Sequence, residues 1–312
     1  MKPRQFGPYT LLEHMGKGGM GSVYRASEGE GGRIVAVKVF ESGEDREPET
    51  SRKLRDREVR MLVSVQHPNI VKFFESGQVD DDYYYTMEFV ARSLPDLMRS
   101  DRELSIVSVV HVLRQTASAL GAIHHQAVVH RDIKPANVLL DEDPGGALHV
   151  KLTDLGIAKN VSEPDIVREQ TRRAIPGTPR FLSPEQIKQE PLDGRSDVFS
   201  LGIVAYELLS GSRPFTAEDS TGYLRANLRQ QQRPVSELNP KVPPFLNRMV
   251  QKMLAKKREE RYDSETLARD LELVHQHLIS QAPLVERANP ASIFYQAPPK
   301  AARPLYEQIS CL

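Results

Sequence analysis

Short glycine-rich, lysine-bearing and aspartate-bearing strings follow one another between residues 16 and 185 of the chain. Glycines have no Cβ, so a turn with several of them can bring backbone N–H groups close to phosphate oxygens. Carboxylates are hard oxygen ligands of the kind that Mg²⁺ prefers. These residue types suit phosphoryl transfer, which requires a held triphosphate, neutralised charge and an aligned acceptor hydroxyl. In chain order the strings are Gly16-Lys17-Gly18-Gly19-Met20-Gly21-Ser22-Val23, Val35-Ala36-Val37-Lys38, His130-Arg131-Asp132-Ile133-Lys134-Pro135-Ala136-Asn137, Asp154-Leu155-Gly156 and Ser183-Pro184-Glu185.

One of these strings alone would carry little weight, because a glycine-rich turn also fits a dinucleotide-binding site or an ordinary hairpin. All five in this order resemble the eukaryotic-like, or Hanks-type, serine/threonine protein kinases of the bacterial branch. The resemblance implies an α+β fold of the bilobal protein kinase type. It predicts a small N-terminal lobe over 6–90, made of an antiparallel β-sheet with one helix, and a larger, mainly helical C-terminal lobe over 91–280. The Pro-rich residues 281–312 are expected to form a tail.

The pattern of apolar residues predicts the elements of both lobes. Helical periodicity predicts one helix over 48–65, and from Ser105 onward the pattern is mainly helical. A nearly all-apolar segment at 198–209, followed by Gly211, predicts a helix buried at the centre of the larger lobe. Apolar runs between turn residues predict a five-stranded antiparallel sheet, with strands at 9–15, 22–26, 33–40, 70–74 and 83–89.

The resemblance assigns ATP binding to the N-terminal lobe and to the connection between the lobes. Strand alternation places Ala36 and Lys38 on one face of the sheet, opposite the two neighbouring valines. Glu58 falls on the apolar stripe of the predicted helix, where a lone carboxylate would be costly, and the resemblance implies that it pairs with Lys38. The alternative is a solvated Glu58 at the edge of that stripe. The expected ATP-binding residues are Gly16, Lys17, Gly18, Gly19, Met20, Gly21, Val23, Ala36, Lys38, Glu88, Val90 and Leu139.

The resemblance places the chemistry in the third and fourth strings. Asp132 is the expected base that accepts the proton of the acceptor hydroxyl, and Lys134 matches the lysine that contacts the γ-phosphate in Ser/Thr kinases. Asn137 and Asp154 are the expected metal ligands. The alternative, in which Asp132 and Asn137 merely cap turns, is common for such residues singly. Leu155 stands where Phe is usual, and an apolar residue there is expected to preserve activity.

The residues between Asp154 and Glu185 form the segment that controls activity in relatives. Arg131 immediately precedes the expected base, an arrangement that couples catalysis to a phosphate on this segment through an arginine–phosphate pair. Thr171 is the only threonine between Gly156 and Gly177, so it is the leading regulatory phosphosite. The alternative is that Thr171 is an ordinary loop residue.

Four further residues are expected to support this segment and the catalytic string. The resemblance implies that Thr178 hydrogen-bonds the catalytic aspartate and lysine. It also implies that Glu185 pairs with Arg261 in a buried ion pair, and that Asp197 anchors the backbone of the catalytic string.

The composition limits the classes of partner and compartment. Forty-two basic and forty-two acidic residues cancel, which argues against a general binder of nucleic acid or of membrane surfaces. The only cysteine, Cys311, allows neither an intrachain disulfide nor a cysteine metal cluster, so a reducing, cytoplasmic location is expected. No apolar run is expected to approach the length needed to cross a bilayer.

The residues and the resemblance together predict a serine/threonine protein kinase that transfers the γ-phosphoryl group of MgATP to Ser and Thr hydroxyls of proteins, including its own activation segment. Mg²⁺ is the expected metal, with Mn²⁺ as an alternative. Two other functions stay open at this point: a pseudokinase that binds nucleotide or acts as a scaffold without turnover, and a kinase for small molecules. The oligomeric state and the physiological substrate do not follow from the sequence.

Overall fold

The fold is known from a computed structural model of the chain. It describes residues 3–18, 21–29, 31–40, 55–56, 59–100, 103–143, 147–154, 178–281 and 294–295. The described residues form a sheet-based N-terminal part and a mainly helical C-terminal part, which is the two-lobed α+β architecture expected from the sequence.

The N-terminal lobe is built on one antiparallel sheet of six strands in the order β1-β2-β3-β4-β6-β5. Helical residues at 55–56 and 59–64 form α1, where the sequence predicted a helix. The strands are β1 (Arg4–Phe6), β2 (Tyr9–Gly18), β3 (Gly21–Glu28), β4 (Ile34–Phe40), β5 (Phe73–Val79) and β6 (Asp82–Glu88).

The two faces of β4 belong to different hydrophobic clusters. Val35, Val37 and Val39 pack with the outer cluster, which also contains residues from β1, β2 and β6. Ala36 belongs to the main core, which continues into the C-terminal lobe. The alternation predicted for this strand is therefore confirmed, and it directs Lys38 towards the space between the lobes.

Two predictions about this sheet are wrong. The sheet has six strands rather than the five predicted. The sequence did not predict β1, because this strand is only three residues long and buries only Phe6, so it shows no alternation of apolar and polar residues. The strand expected at 70–74 begins instead at Phe73 and continues through polar residues to Val79. Ile70 and Val71 are buried outside the sheet, where Ile70 bridges Leu152 of the C-terminal lobe. Burial between the lobes produced the apolar run that resembled a strand.

The C-terminal lobe is organised around a buried helix, α5 (Arg195–Ser210), which Gly211 caps as predicted from the sequence. Short 3₁₀ turns cover Pro135–Asn137, Pro179–Phe181 and Arg258–Glu260. The other elements of this region are β7 (Arg92–Ser93), α2 (Leu94–Arg99), β8 (Glu103–Leu104), α3 (Ile106–His125), β9 (Val138–Glu142), β10 (Leu148–Leu152), α4 (Pro184–Lys188), α5 (Arg195–Ser210), α6 (Ser220–Arg229), α7 (Val235–Leu238), α8 (Pro244–Met253), α9 (Ser264–Gln281) and β11 (Phe294–Tyr295).

Helix α3 is long and apolar enough to cross a bilayer by length and composition alone. The expectation that no run approaches that length is therefore wrong for this segment. Its most apolar window is 61% buried inside the lobe, as in the core helix of a globular domain, so it is weak evidence for a membrane span. The helix begins after Ser105, whose Oγ accepts a hydrogen bond from the Ser108 N–H at 3.0 Å.

The last described element comes from the region expected to be a tail. Strand β11 pairs antiparallel with β8, with Phe294 opposite Leu104 and Tyr295 opposite Glu103. Helix α9 ends at Gln281, and the domain boundaries given above stay predictions.

A histidine buried between α3 and α9 should make stability depend on pH. Burial, the neighbouring His111 and then Arg114 lower the pKa of His275 to about 4, against a weaker opposite effect of Glu272. The unfolded chain has an ordinary histidine pKa of about 6.5, so it binds more protons than the folded chain between these values. The contribution of His275 to stability is therefore fully present above pH 6.5 and is lost as the pH is lowered towards 4. We expect a loss of about 2 kcal/mol in unfolding free energy between pH 7 and pH 5.

Urea unfolding at several pH values measures this slope. The loss between pH 7 and pH 5 should be smaller by about 2 kcal/mol in His275→Leu, whereas His277→Leu, at an exposed position of the same helix, should leave it unchanged. Equal slopes in the native protein and in the His275 variant would contradict the assignment.

Candidate active site

The glycine-rich string forms the hairpin between β2 and β3, with Gly16 opposite Val23 and Gly18 opposite Gly21. Gly21 has φ +150°, and a Cβ there would lie 2.0 Å from the carbonyl oxygen of Val39, so a side chain is excluded. A Cβ on Gly16 would have no described atom within 4 Å. This open space beside a glycine-rich hairpin fits the approach of a phosphate group. Gly19 and Met20 lie outside the described residues.

Lys38 connects the sheet to the fourth string. Its Nζ donates to Asp154 Oδ1 at 3.2 Å, although Lys38 is only 8% exposed. The positive charge of Lys38 holds the pKa of Asp154 below its usual range, so the carboxylate is ionised at neutral pH. The expected pair with Glu58 lies outside the described residues, as does Leu155.

The catalytic string brings two polar side chains, those of Lys134 and Asn137, to Asp132. Lys134 Nζ donates to Asp132 Oδ2 at 2.8 Å, and Asn137 Nδ2 donates to the same oxygen at 3.2 Å. Asn137 Nδ2 also donates to the backbone carbonyl of Asp132 at 2.8 Å. The turn at Pro135–Asn137 makes these contacts possible by folding Asn137 back onto Asp132. The carboxylate is thus oriented by residues of its own string.

His130 fixes the distance between this string and Asp154. Its ring is fully buried, and burial lowers its pKa, so the imidazole is neutral. Nε2 lies 3.1 Å from the carbonyl oxygen of Thr153, to which it donates, and Nδ1 is left to accept from the Asp132 N–H at 3.4 Å. Arg131 and Asp154 both adopt the left-handed backbone region, with φ +67° and +53°. Non-glycine residues in that region concentrate at functional sites.

Asp197, at the start of α5, anchors the backbone of the catalytic string. Its two carboxylate oxygens accept the backbone N–H groups of His130 and Arg131, both at 2.7 Å. His124 Nε2 lies 2.8 Å from Oδ2, and a Cβ on Gly194 would collide with the His124 ring at 2.3 Å. Burial alone would raise the pKa of Asp197, but its hydrogen bonds, first among them the one with His124, lower it overall. The expected anchoring contact is present.

The connection between the lobes follows β6. Met87 is buried, and Thr153 Oγ1 lies 3.9 Å from its sulfur. The N–H of Glu88 donates to the carbonyl of Lys72 at 2.8 Å, so this donor is not available to an adenine ring. The Glu88 carboxylate pairs with Lys151 at 2.7 Å. Val90 is half-buried after the end of β6, as is Leu139 on β9, and the nucleotide contacts of both stay predictions.

The residues expected to support the activation segment fall into two groups. Arg261 and Glu185 form a buried ion pair, with N–O distances of 2.7 and 3.0 Å. Thr178 begins the turn at Pro179–Phe181, and its hydrogen bond to the catalytic string stays a prediction. Thr171 lies outside the described residues.

Sequence reasoning missed three residues that hold this site. Gln186 Nε2 donates to the carbonyl of Arg131 at 3.0 Å and thereby joins α4 to the catalytic string. Lys151 pairs with Glu88, and His124 with Asp197. A Ser183-to-Gln186 capping box was visible in the sequence and predicts the start of α4, but nothing local predicts the contact with Arg131. No local pattern predicted the other two pairs.

Comparison with known proteins finds a family model and relatives that are all protein kinases. A family model described as "Protein kinase domain" matches residues 9–271. Serine/threonine-protein kinase PknB of Mycolicibacterium smegmatis is 33% identical over 93% of this chain and 47% of the relative. Serine/threonine-protein kinase Pkn1 of Myxococcus xanthus is 37% identical over 83% of this chain and 37% of the relative. PrkC of Bacillus subtilis is 33% identical over 85% and 40%. The chain spans less than half the length of each of these relatives.

A solved structure supports the fold independently. The kinase domain of Mycobacterium tuberculosis PknI, as a double mutant, superposes with a TM-score of 0.64 at 23% identity, over 88% of this chain and 98% of that domain. At this level of identity the likeness concerns the fold alone. The match of the family model over most of the chain, the two-lobed architecture and the ordered set of site residues agree: the chain belongs to the protein kinase family and has the Hanks-type, bilobal fold of its bacterial serine/threonine branch.

Proposed function

We propose that the chain transfers the γ-phosphoryl group of ATP, with Mg²⁺ as the metal, to Ser and Thr hydroxyls of proteins, including a hydroxyl of its own activation segment. One observation carries the proposal: the Asp132 carboxylate is held by Lys134 and Asn137, at 2.8 and 3.2 Å, and its side chain is 12% exposed. An oriented and partly exposed carboxylate can meet a hydroxyl, whereas a carboxylate that merely caps a turn has no need of a neighbouring lysine.

The chemistry proposed for Asp132 is that of a general base. As the acceptor oxygen bonds to the γ-phosphorus, the bond from that phosphorus to the bridging oxygen breaks, ADP leaves and the acceptor proton passes to Asp132. Lys134, beside the same carboxylate, places positive charge where the transferred group gains negative charge. Lys38 is positioned to contact the other phosphates from the sheet side.

The oxygen donors near Asp132 fit a hard divalent cation. Asp154 is ionised and its side chain is 42% exposed, so its carboxylate can reach a ligand. Because the amide nitrogen of Asn137 is committed to Asp132, its Oδ1 is the atom that remains for a metal. The Thr153 N–H donates to the carbonyl of Asn137 at 3.0 Å, which keeps the two donor residues adjacent. The chemistry that the metal supplies when bound is positive charge against the phosphate oxygens.

The class of acceptor rests on Lys134 and on relatives. The lysine two residues after Asp132 is the feature that resembles Ser/Thr kinases, and the relatives are named as serine/threonine-protein kinases. Protein acceptors are further supported by the intact string Ser183-Pro184-Glu185, since Glu185 is held in a buried ion pair that stabilises the segment beside the catalytic string.

Phosphate mapping tests this proposal directly. The phosphatase-treated protein and its Asp132→Asn variant are incubated with MgATP and dephosphorylated casein, and phosphopeptides are identified by mass spectrometry. We expect phosphate on Thr171 and on casein Ser and Thr residues with the native protein, and on neither with the variant. A parallel incubation with Mn²⁺ at equal concentration compares the two metals.

Each contrary outcome points to a different conclusion. Phosphate on casein without phosphate on Thr171 would retain the kinase and remove the proposed switch. Phosphate on tyrosine would contradict the acceptor class. If the native protein places phosphate neither on casein nor on itself, the proposal is contradicted and a pseudokinase or a small-molecule kinase is favoured.

A further inference from the structure

Four consecutive backbone carbonyls beside the catalytic string are bonded by side chains from two helices. Asn227 Nδ2 lies 3.2 Å from the carbonyl oxygen of Pro179, 3.3 Å from that of Arg180 and 2.8 Å from that of Leu182. The carbonyl between them, that of Phe181, accepts from Ser200 Oγ at 2.7 Å. We call residues 179–182 the clamped segment.

The two side chains that bond the clamped segment are buried, and the Asn227 amide has a single orientation. Asn227 is 0% exposed and Ser200 is 3% exposed. If the amide of Asn227 were flipped, its oxygen would face three carbonyl oxygens, so the nitrogen must point at the clamped segment. A buried amide nitrogen that is engaged in this way is costly to disturb, because its loss leaves carbonyls of the clamped segment without a donor.

Helix α6 has an unusual means of attachment. Asn227 is its only fully buried residue, and the helix is otherwise half-buried or exposed. Lys256 Nζ donates to the backbone carbonyl of Asn227 at 2.8 Å and lies 3.6 Å from the centre of the Phe215 ring. Most surface helices are attached to the core by an apolar stripe. Helix α6 is instead attached through the hydrogen bonds of the buried polar residue Asn227, whose own carbonyl accepts from Lys256.

The clamped segment lies next to the catalytic residues. It ends directly before α4, whose Gln186 donates to the carbonyl of Arg131, the neighbour of Asp132. Phe181 and Leu182 are buried, whereas Pro179 and Arg180 are half-exposed. The segment thus presents a surface of defined shape beside the base, with its carbonyls turned inward and with Pro179 and Arg180 partly exposed.

We propose that Asn227 is a positioning residue for the acceptor polypeptide: through the clamped segment it fixes the surface on which the chain around the acceptor hydroxyl binds. The inference rests on the proposed kinase activity. Asn227 touches neither nucleotide nor the reacting atoms, so its loss should weaken acceptor binding while leaving nucleotide binding intact.

Steady-state kinetics on three variants tests this role. The acceptor is a mixture of synthetic peptides with one central Thr and degenerate flanking positions, and MgATP is varied separately. In Asn227→Asp, carboxylate oxygens face the carbonyls, and we expect the acceptor KM to rise at least about tenfold, with the KM for ATP within about twofold of the native value. Asn227→Ala removes the donor without adding charge and should show a smaller rise in the same parameter.

The matched control is Asn239→Ala. Asn239 Nδ2 also donates to a backbone carbonyl of the C-terminal lobe, that of Leu209 at 2.7 Å, but away from the clamped segment. The Asn239→Ala variant should have a lower free energy of unfolding and an unchanged acceptor KM. Hydrogen exchange of the peptide containing residues 178–186, measured without substrate, should accelerate in both Asn227 variants and not in the control.

The outcomes separate this inference from the proposed function. If the native protein transfers no phosphate to the peptides, the proposed function fails. If it does, and both folded Asn227 variants keep an acceptor KM within about twofold of native, the positioning role is overturned and Asn227 is a stability residue only. Should Asn227→Asp not fold, the alanine variant decides by the same criterion. Equal rises in the KM values for ATP and acceptor would also overturn it.

Discussion

Replacing Asp132 by asparagine is expected to lower kcat by about a thousandfold, because an amide cannot accept the proton of the acceptor hydroxyl. The substitution keeps the shape of the side chain, and its partners Lys134 and Asn137 remain in place. ATP affinity should therefore change by less than about threefold, since nucleotide binding does not depend on proton transfer. Single-turnover kinetics and a separate nucleotide titration distinguish the two quantities.

A control for this variant is available on β9. Asp141→Asn alters an exposed aspartate nine residues further on, outside the site described, and should leave kcat unchanged. A purified Asp132→Asn protein that turns over at near-native rate would sink the assignment of the base.

The second large effect concerns stability rather than turnover. Arg261→Met should lower the free energy of unfolding by about 3–5 kcal/mol, because Glu185 would remain as a buried, unpaired charge. The guanidinium uses every donor: two on Glu185 and the others on the carbonyls of Arg195, Ala255 and Lys256. Urea denaturation of the native and variant proteins, without nucleotide, gives the difference.

The location of the pair, rather than its charge, should determine the size of this loss. Arg233 and Glu237 form an exposed pair in the same lobe at 3.4 Å, with side chains 68% and 52% exposed. Arg233→Met should therefore cost less than about 1 kcal/mol. A loss in Arg261→Met no larger than in this control would contradict the argument from burial. The double variant Glu185→Leu with Arg261→Met should recover part of the stability, because it removes both charges.

An arrangement is easiest to anticipate from the sequence where one short stretch contains all of it. Asp132, Lys134 and Asn137 lie within six residues of one another, so their spacing alone restricts how their side chains can meet. The buried helix α5 was also readable, because a helix that is apolar on nearly every side has few other places to lie. The alternation of β4 was readable for a similar reason.

Contacts between distant residues were accessible only through the resemblance or not at all. Asp197 is 66 and 67 residues from the two N–H groups that it accepts, and only the family pattern suggested it. Asn227 is 45 to 48 residues from the carbonyls that it binds, and an isolated asparagine on a polar helix gives no signal of burial. Burial between lobes, as at Ile70, is equally indistinguishable from burial within a sheet when only the sequence is read.

The anchoring of the catalytic string by Asp197 determines when the base becomes ordered. Both carboxylate oxygens of Asp197 are bonded to backbone N–H groups of residues 130 and 131 by contacts within the fold itself, and α5, which supplies Asp197, is the most buried helix among the described elements. The conformational entropy of these residues is thus lost once, during folding, and is not lost again at each encounter with an acceptor. Every acceptor, whatever its sequence, meets the same preorganised base. Differences in rate between acceptors should then arise from how each one reaches Asp132.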